Sequence, residues 1–258
     1  MNIRLQVCAC AQDACLPLLP AAVQGSPGHR LESPGFWALP PLAVGTRLLA
    51  PDGAALFAVS GRIWLPAAPH AVACPLLQAL DHLPAGPVDL APRKEGFSLA
   101  WITLSDKGAR GEREDSAGPA IAELAAAHLP LCHTQGFLLP DEPAALRALL
   151  PELALGQGYD LICTTGGTGL SPRDRTPQVT AALLDLPLPG FVQAMMAASL
   201  ARTPHAAISR AVAGVLGQSL VLNLPGSHRA VTENLAAVLP ALPHALAKVH
   251  GDPADCGA

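Results

Sequence analysis

Residues 159–177 read YDLICTTGGTGLSPRDRTP, and this stretch decides how the chain is interpreted. Residues 161–163 form a short apolar run, which is typical of a fully buried parallel strand. A loop follows at the carboxyl end of that strand, the position at which open α/β sheets bind ligands. Three glycines allow the loop to approach a ligand closely and to turn its N–H groups toward an anion: Gly166, Gly167 and Gly169. The stretch therefore predicts a site for a phosphate-bearing ligand.

The second half of this stretch predicts a helix start with a carboxylate beside it. Thr176 is a good N-cap and Pro177 a good first helical residue, so a helix is expected to begin there. Asp174 then lies just ahead of the helix and faces the glycine loop. A carboxylate in such a place is how Mg²⁺ is commonly held next to phosphates. In the alternative interpretation, Asp174 only pairs with Arg173 or Arg175, or caps the helix.

The glycine loop does not match two familiar phosphate-binding patterns. No Gly-Lys-Ser/Thr follows, so it is not a Walker A sequence, and its glycines lack the spacing of the dinucleotide-binding fingerprint. Neither kinase-type nor Rossmann-type chemistry is therefore predicted. A glycine-rich turn after a strand can also be a plain connection, and that alternative stays open at this point.

Strand-like and helix-like segments alternate through the second part of the chain. This alternation predicts a mostly parallel sheet with helices on both faces. Pro151 is expected to break or kink one helix, Pro240 and Pro243 to interrupt the last one, and Gly217-Gln218 to form a hairpin turn. In order, the segments are a strand at 98–104, a helix at 117–128, the end of a strand at 137–139, a helix at 142–155, a strand at 160–164, helices from 177 and over 191–200, a hairpin of 211–216 with 219–224, and a last helix from about 228.

Four motifs in this part of the chain resemble a known family. TTGGTG followed by Arg173-Asp174 and Thr176-Pro177 is similar to the molybdopterin-binding fold family of molybdenum-cofactor biosynthesis, and within it to the molybdopterin adenylyltransferases, including the G domain of gephyrin. The other motifs follow in the family's order: WITLSD at 101–106 with the later Asp115, Ser116 and Gly118, LPDE at 139–142, and LNLPG at 222–226. The resemblance covers roughly residues 97–250.

The resemblance implies an enzyme that transfers AMP from ATP to molybdopterin with Mg²⁺, giving adenylyl-molybdopterin and pyrophosphate. It implies Asp141 and Asp174 as the catalytic residues and metal ligands, and we expect them at the ends of adjacent strands, converging on one Mg²⁺. The implied substrate and nucleotide contacts are Ser105, Asp106, Asp115, Ser116, Thr165, Gly166, Gly167, Thr168, Gly169, Asn223, Pro225, Gly226, Ser227 and Arg229.

Two positions depart from the family pattern. Gln178 stands where the family commonly has an acidic residue after Thr-Pro. Ser227-His228-Arg229 replaces the more usual x-Pro-Lys after the glycine. The Arg229 side chain keeps a positive charge, but its planar fork contacts a phosphate differently from the point charge of a lysine. These departures affect the expected details of substrate binding and leave the expected fold unchanged.

Residues 1–92 lie outside the resemblance and are expected to form a small β-rich domain of unknown function. Strand-like stretches alternate over 39–59, and Pro-Asp-Gly at 51–53 is a turn signal. Proline, glycine and charge collect at 84–94, which predicts a linker there. The expected organisation is therefore a domain at 1–92 and the molybdopterin-binding domain at 93–258.

Composition excludes several other classes of protein. The net charge is −4 and aromatic residues make up 3% of the 258 residues, which argues against a nucleic-acid-binding protein. No run of 18 or more apolar residues lacks proline, glycine or charge, so no membrane span is predicted. At the N-terminus Arg4 is the only positive charge, and Asp13, Pro17 and Pro20 interrupt the apolar part, so no signal peptide is predicted. Seven irregularly spaced cysteines indicate free thiols in the cytoplasm, and Cys8, Cys10 and Cys15 lack the second ligand pair of a zinc site.

Two alternative functions remain at this stage. One is a non-catalytic module that binds molybdopterin and delivers it to a partner enzyme, although such a module has little use for a metal-holding pair of carboxylates. The other is molybdate insertion, but that enzyme carries large extra domains for which 92 residues are too few. The expected partners are the small-molecule substrates and the molybdate-insertion enzyme, and the resemblance also implies a homotrimer.

Overall fold

A computed structural model describes residues 2–21, 30–66 and 70–253. The contacts divide the chain into two compact units, Met1–Glu95 and Gly96–Ala258. The division falls a few residues after the position expected from the sequence. In the described parts of the chain, no helix combines the length and the apolar character needed to cross a membrane.

The first unit is a closed barrel, which confirms the expectation of a β-rich N-terminal domain. Around the barrel the strand order is β1-β3-β2-β6-β5-β4-β7. Neighbouring strands are antiparallel except for β2 and β3, which are parallel. The strands are β1 (Ile3–Val7), β2 (Cys15–Pro20), β3 (Leu31–Ser33), β4 (Arg47–Leu49), β5 (Ala55–Leu65), β6 (Val72–Ala79) and β7 (Gly86–Arg93).

Apolar side chains fill the interior of this barrel. In β1 the buried Ile3, Leu5 and Val7 alternate with exposed Arg4 and Gln6, as expected for a strand with one face in a core. Other strands contribute fully buried side chains to the same cluster, among them Leu18, Phe57, Leu77 and Leu90. The barrel is therefore a packed core, and burial of these side chains is its main source of stability.

The linker predicted at 84–94 is wrong, because most of it is strand β7. This strand pairs with β1 along Gly86–Leu90 and with β4 along Ala91–Arg93, and so closes the barrel. Its prolines and charged residues suggested a boundary, but Leu90 is fully buried in the barrel core. The turn predicted at 51–53 is confirmed, because Asp52 Oδ1 accepts the Ala54 N–H at 3.0 Å between β4 and β5.

The second unit is a six-stranded sheet in the order β11-β12-β13-β10-β8-β9. Strands β9, β8, β10 and β13 run parallel, while β12 and β11 are antiparallel to their neighbours. The sheet is therefore mostly parallel, as predicted, and the predicted hairpin is β12 with β13. The strands are β8 (Phe97–Leu104), β9 (Leu131–Leu139), β10 (Leu161–Thr165), β11 (Leu186–Pro187), β12 (Ala213–Leu216) and β13 (Ser219–Leu224).

Helices cover both faces of this sheet. Successive strand residues point to opposite faces. Leu222 and Leu224 of β13 pack in one core with α2, α5, α6 and α7, whereas Asn223 between them hydrogen-bonds Thr180 of α4. The helices are α1 (Asp106–Ala109), α2 (Ala117–Ala126), α3 (Pro143–Pro151), α4 (Thr176–Ala181), α5 (Pro189–Leu200), α6 (His228–Val238) and α7 (Leu242–Val249).

One helix differs in its bounds from the prediction, and two breaks expected at prolines are confirmed. Helix α4 starts at Thr176 itself, with Arg175 in the capping position, and ends at Ala181. Helix α3 ends at Pro151, and a π-helical turn continues over Glu152–Gln157 until Gly158 stops it. A 3₁₀ segment at Leu239–Ala241, containing a proline, separates α6 from α7. Proline accounts for the last two breaks, because it lacks the N–H that an α-helix needs.

Candidate functional site

The loops at the carboxyl ends of β8, β9, β10 and β13 surround a cavity of about 460 Å³. These strands are parallel, so their carboxyl ends meet at one edge of the sheet. Predicted site residues from each of the four loops line this cavity: Ser105, Asp115, Ser116, Asp141, Thr165, Gly166, Gly167, Asp174, Gly226 and Ser227. The structure thus brings together most of the residues that the sequence singled out.

The glycine loop packs so closely against its neighbours that side chains would not fit. A Cβ atom on Gly166 would lie 2.4 Å from the Leu104 carbonyl oxygen, and one on Gly167 would lie 2.3 Å from Thr176 Oγ1. Both glycines have positive φ angles, 99° and 64°, which non-glycine residues rarely adopt. A Cβ on Gly226 would lie 3.3 Å from the Gly166 Cα. The backbones of three loops therefore meet at Gly166.

Hydrogen bonds hold the glycine loop to the loop after β13. The Thr165 hydroxyl donates to the Pro225 carbonyl at 2.7 Å. The Gly166 N–H points to the Leu224 carbonyl, at a longer 3.4 Å. These contacts fix the cavity wall at the point where the parallel strands β10 and β13 end.

Asp106 and Asp141 bind one another's backbone. The Asp106 N–H donates to Asp141 Oδ2, and the Asp141 N–H donates to Asp106 Oδ1, both at 3.0 Å. The bond from the Asp141 N–H lowers the pKa of the Asp106 carboxyl, and the guanidinium of Arg173 lowers it further. This reciprocal pair fastens the turn after β8 to the turn after β9.

Arg173 connects the glycine loop to the same two turns. Its Nη2 lies 2.9 Å from Asp106 Oδ1 and 3.1 Å from Glu142 Oε1, and it also donates to the Asp141 carbonyl at 3.3 Å. Arg173 was considered from the sequence only as a partner of Asp174. The structure pairs it instead with carboxylates from two other loops, a contact between distant segments that local spacing does not reveal.

Asp174 lies at the mouth of the glycine loop. Its Oδ2 accepts the Ser171 N–H at 2.8 Å, and a Cβ on Gly169 would lie 2.9 Å from the same oxygen. Asp174 and Asp141 line the same cavity. The expectation that they follow adjacent strands is wrong, because β8 lies between β9 and β10. The two carboxylates approach the cavity from either side of the end of β8.

The carboxylates of Asp141 and Asp174 suit a magnesium ion. Within the described residues, no group of three or more His, Cys, Asp or Glu side chains could enclose a metal. Mg²⁺ does not need such a cage, since it usually binds one or two carboxylates and completes its shell with water and substrate phosphates. The donor set therefore fits a Mg²⁺ ion that a nucleotide helps to hold.

Some predicted contact residues have their polar atoms engaged by the protein. Asp115 Oδ2 accepts the Thr103 hydroxyl at 2.6 Å, and its Oδ1 accepts the N–H groups of Ala117 and Gly118 at the start of α2. Ser105 Oγ accepts the Gly108 N–H at 3.1 Å and caps α1. These two side chains shape the cavity mainly by fixing helix starts.

Asn223 and Arg229, two further predicted substrate contacts, also have side chains that bind other residues of the protein. Asn223 is fully buried, and its Nδ2 donates to the hydroxyls of Thr164 and Thr180, at 2.9 and 3.0 Å. Its Oδ1 has no hydrogen-bond partner among the described residues. Asn223 thus joins the sheet to α4 and does not line the cavity. The Arg229 side chain is 78% exposed and pairs with Glu233 one turn along α6.

A second cavity, of about 330 Å³, shares the glycine loop as part of its wall. Four of the predicted contacts lie here, of which Gly226 borders both cavities: Thr168, Gly169, Pro225 and Gly226. The opposite wall is largely apolar and comes from α5 and the segment after it: Val192, Met195, Met196, Ala206 and Ile208. Sequence reasoning missed this cavity, because apolar residues on a helix are more often core than binding site.

Comparison with known proteins agrees with this geometry. A family model described as a probable molybdopterin binding domain matches residues 100–244. The chain belongs to this family. Molybdopterin adenylyltransferase of Haemophilus influenzae is 38% identical over 143 residues, 55% of this chain and 73% of that protein. Gephyrin of Dictyostelium discoideum is 35% identical over 170 residues, 62% of this chain.

The solved structures show the family fold as well. The molybdopterin biosynthesis enzyme MoaB from Thermus thermophilus is 49% identical, with a TM-score of 0.56, over 61% of this chain and 98% of that one. The chain spans about a quarter of gephyrin, since the match covers 24% of that protein. The molybdopterin-binding fold inferred from the four motifs is thus confirmed.

Proposed function

We propose that the second unit transfers the AMP group of ATP to molybdopterin, with Mg²⁺, in the biosynthesis of molybdenum cofactor. The observation that carries the proposal is the shared cavity, where Asp141 and Asp174 stand beside a glycine loop at the carboxyl end of a parallel sheet. The relative named molybdopterin adenylyltransferase supports the same activity.

The proposed reaction requires no nucleophile from the protein. A phosphate oxygen of molybdopterin attacks the α-phosphorus of ATP, a new P–O bond forms, and the bond to pyrophosphate breaks. The protein then contributes alignment and charge neutralisation, which dominate catalysis of phosphoryl-type transfer. In keeping with this, Ser105 and Ser227 in the cavity wall use their Oγ atoms to cap α1 and α6.

The residues of the polar cavity have complementary roles in this proposal. Asp141 and Asp174 hold the metal, which when bound neutralises phosphate charge. The backbone at Gly166 and Gly167 offers a close approach to a phosphate group. Arg173 keeps Asp106 and the Asp141 turn in place. None of these roles needs a side chain that forms a covalent bond with substrate.

The two cavities divide the proposed substrates by polarity. The 460 Å³ cavity carries the carboxylates and suits the phosphate groups. The 330 Å³ cavity, on the methionine-rich side of the glycine loop, suits a planar heterocycle such as pterin or adenine. Gly226 borders both cavities, so the two parts of the proposed site are neighbours.

The direct test is incubation of the full chain with molybdopterin, ATP and Mg²⁺. We expect adenylyl-molybdopterin and pyrophosphate in equal amounts, and loss of both when EDTA removes the metal. If molybdopterin binds but no pyrophosphate is released, the proposal is wrong and the chain is a binding module.

A further inference from the structure

Arg210 holds both ends of the loop that carries Asp174. It lies just before β12 and is half-buried. Its backbone N–H donates to the Thr168 carbonyl at 3.1 Å, and its Nε donates to the Gly169 carbonyl at 2.9 Å. Its Nη2 donates to the carbonyls of both Gly169 and Asp174. One residue thus contacts the loop over 168–174.

These contacts hold the side of the loop that faces the hairpin, whereas Arg173 ties the loop to the turns after β8 and β9. Residues 166–175 form neither helix nor strand. Within the loop, Ser171 and Asp174 hydrogen-bond each other, through the Asp174 N–H at 2.9 Å and the Ser171 N–H at 2.8 Å. That local turn fixes its own shape but not its place relative to the sheet. Arg210 supplies a link from the loop to the neighbouring antiparallel hairpin.

The guanidinium group is suited to this task. Its donors lie in one rigid plane, so two of its nitrogens can bind neighbouring carbonyls together, whereas a lysine ammonium acts as a single point charge. Arg210 forms no ion pair in the part of the chain that the structure describes, and its side-chain bonds go to backbone carbonyls. It borders neither cavity. It therefore acts on the site through the loop, without touching a substrate.

We propose that Arg210 is a positioning residue, which sets the affinity of the site for Mg²⁺ by fixing the backbone of Asp174. This inference rests on the proposed function, because it assumes that Asp174 holds the metal. Residues that orient metal ligands typically change metal affinity by about 10–100-fold when they are replaced.

The first test needs no substrate. Hydrogen exchange is compared for the wild type, Arg210→Gln and Arg210→Lys, with Arg202→Gln as the matched control because Arg202 is an exposed arginine in the preceding segment. We expect exchange in residues 166–175 to accelerate at least about tenfold in Arg210→Gln and less in Arg210→Lys. The control should match the wild type. Unchanged exchange in Arg210→Gln would overturn the inference.

The second test separates positioning from general loss of structure. We expect Arg210→Gln to raise the Mg²⁺ concentration for half-maximal AMP transfer about tenfold, with turnover at saturating Mg²⁺ within a few fold of wild type. In Arg210→Ala, millimolar guanidinium should lower that requirement and ammonium should not. Lower turnover with an unchanged Mg²⁺ requirement would show a merely structural role.

These tests also distinguish failure of the inference from failure of the proposed function. If the wild type forms no adenylyl-molybdopterin, the proposed function fails. The exchange comparison then decides by itself whether Arg210 orders the loop. If Arg210→Gln does not fold, Arg210→Lys provides the same comparisons with the positive charge retained.

Discussion

At the scale of single residues, Gly166 and Gly190 differ in whether their surroundings leave room for a side chain. Gly166 has a φ angle of 99°, and a Cβ there would lie 2.4 Å from a backbone oxygen that cannot easily move. Gly190 lies in the first turn of α5 with open space around its missing Cβ. The first glycine is required by its surroundings, whereas the second is not.

We expect Gly166→Ala and Gly190→Ala to have opposite effects on stability. Gly166→Ala should lower the free energy of unfolding by about 2 kcal/mol or more, because it adds a clash to an unfavourable backbone angle. Gly190→Ala should leave it unchanged or raise it by up to about 1 kcal/mol, since alanine favours a helix. Urea unfolding of both variants checks this, and equal losses would contradict the packing described for the loop.

Replacing Asp174 tests the metal assignment. We expect Asp174→Asn to keep the fold but to lower turnover by about 10² or more, because a weakened Mg²⁺ ligand costs transition-state stabilisation. Glu123→Gln, on the exposed surface of α2, is the matched control. If Asp174→Asn has the circular dichroism spectrum of the wild type and a turnover within a few fold of it, Asp174 is not a metal ligand.

The lowered pKa of the Asp106 carboxyl predicts a specific response of stability to acid. Its pKa is lowered by the Asp141 N–H and by Arg173 from an ordinary value of 3.8. The resulting stabilisation is present above that value and is lost as the pH falls toward the folded-state pKa. Asp106→Asn should therefore show a smaller decrease in unfolding midpoint than wild type between about pH 5 and pH 2.5. Equal decreases would show that the pair contributes no such linkage.

At the scale of elements, local sequence patterns predicted individual strands and loops correctly, whereas the order of the strands in the sheet could not be predicted. The apolar run at 161–163 and the glycines after it predicted the correct strand and loop, because both signals are local. The placement of Asp141 and Asp174 on adjacent strands was wrong, since strand order depends on contacts between distant segments. β8 is central to the sheet and pairs with both β9 and β10. The spacing of residues along the chain does not reveal this central position of β8.

The proline content of one strand also led to a wrong prediction of a linker. Residues 84–94 carry three prolines and read as a linker, yet β7 is needed to close the barrel. Asn223, a predicted substrate contact, lies in a strand buried on both faces and binds two threonine hydroxyls. In both cases the contacts depend on neighbouring strands and helices, which the sequence does not show.

At the scale of the whole molecule, we expect the second unit to fold and to work without the first. The motifs of the site and the family match at residues 100–244 lie in the second unit. A shortened chain that begins at Lys94 lacks every strand of the barrel and leaves the strands of the second unit whole. We therefore expect it to fold and to transfer AMP at nearly the wild-type rate. Circular dichroism and the pyrophosphate assay check this. A folded but inactive shortened chain would mean that the first unit contributes to catalysis.

We expect the second unit to assemble as a homotrimer. Large apolar side chains are exposed on the second unit, including Leu155, Leu170 and Leu186, and an interface between copies would bury such surface. Light scattering of the full chain at micromolar concentration should give the mass of three chains. A monomer would contradict the expectation, and comparison with the shortened chain would then show whether the barrel blocks assembly.

The closed barrel has a consequence for the order in which the two units fold while the chain is being synthesised. β1 pairs with β7, so the barrel cannot close until the ribosome has released the segment through Arg93. After closure, each strand that the structure describes in the first unit has a partner on both sides, which protects its edges from mispairing. The strands of the second unit emerge later. The nascent chain can therefore complete the barrel, including the long-range pairing of β1 with β7, before the parallel sheet of the second unit is fully available.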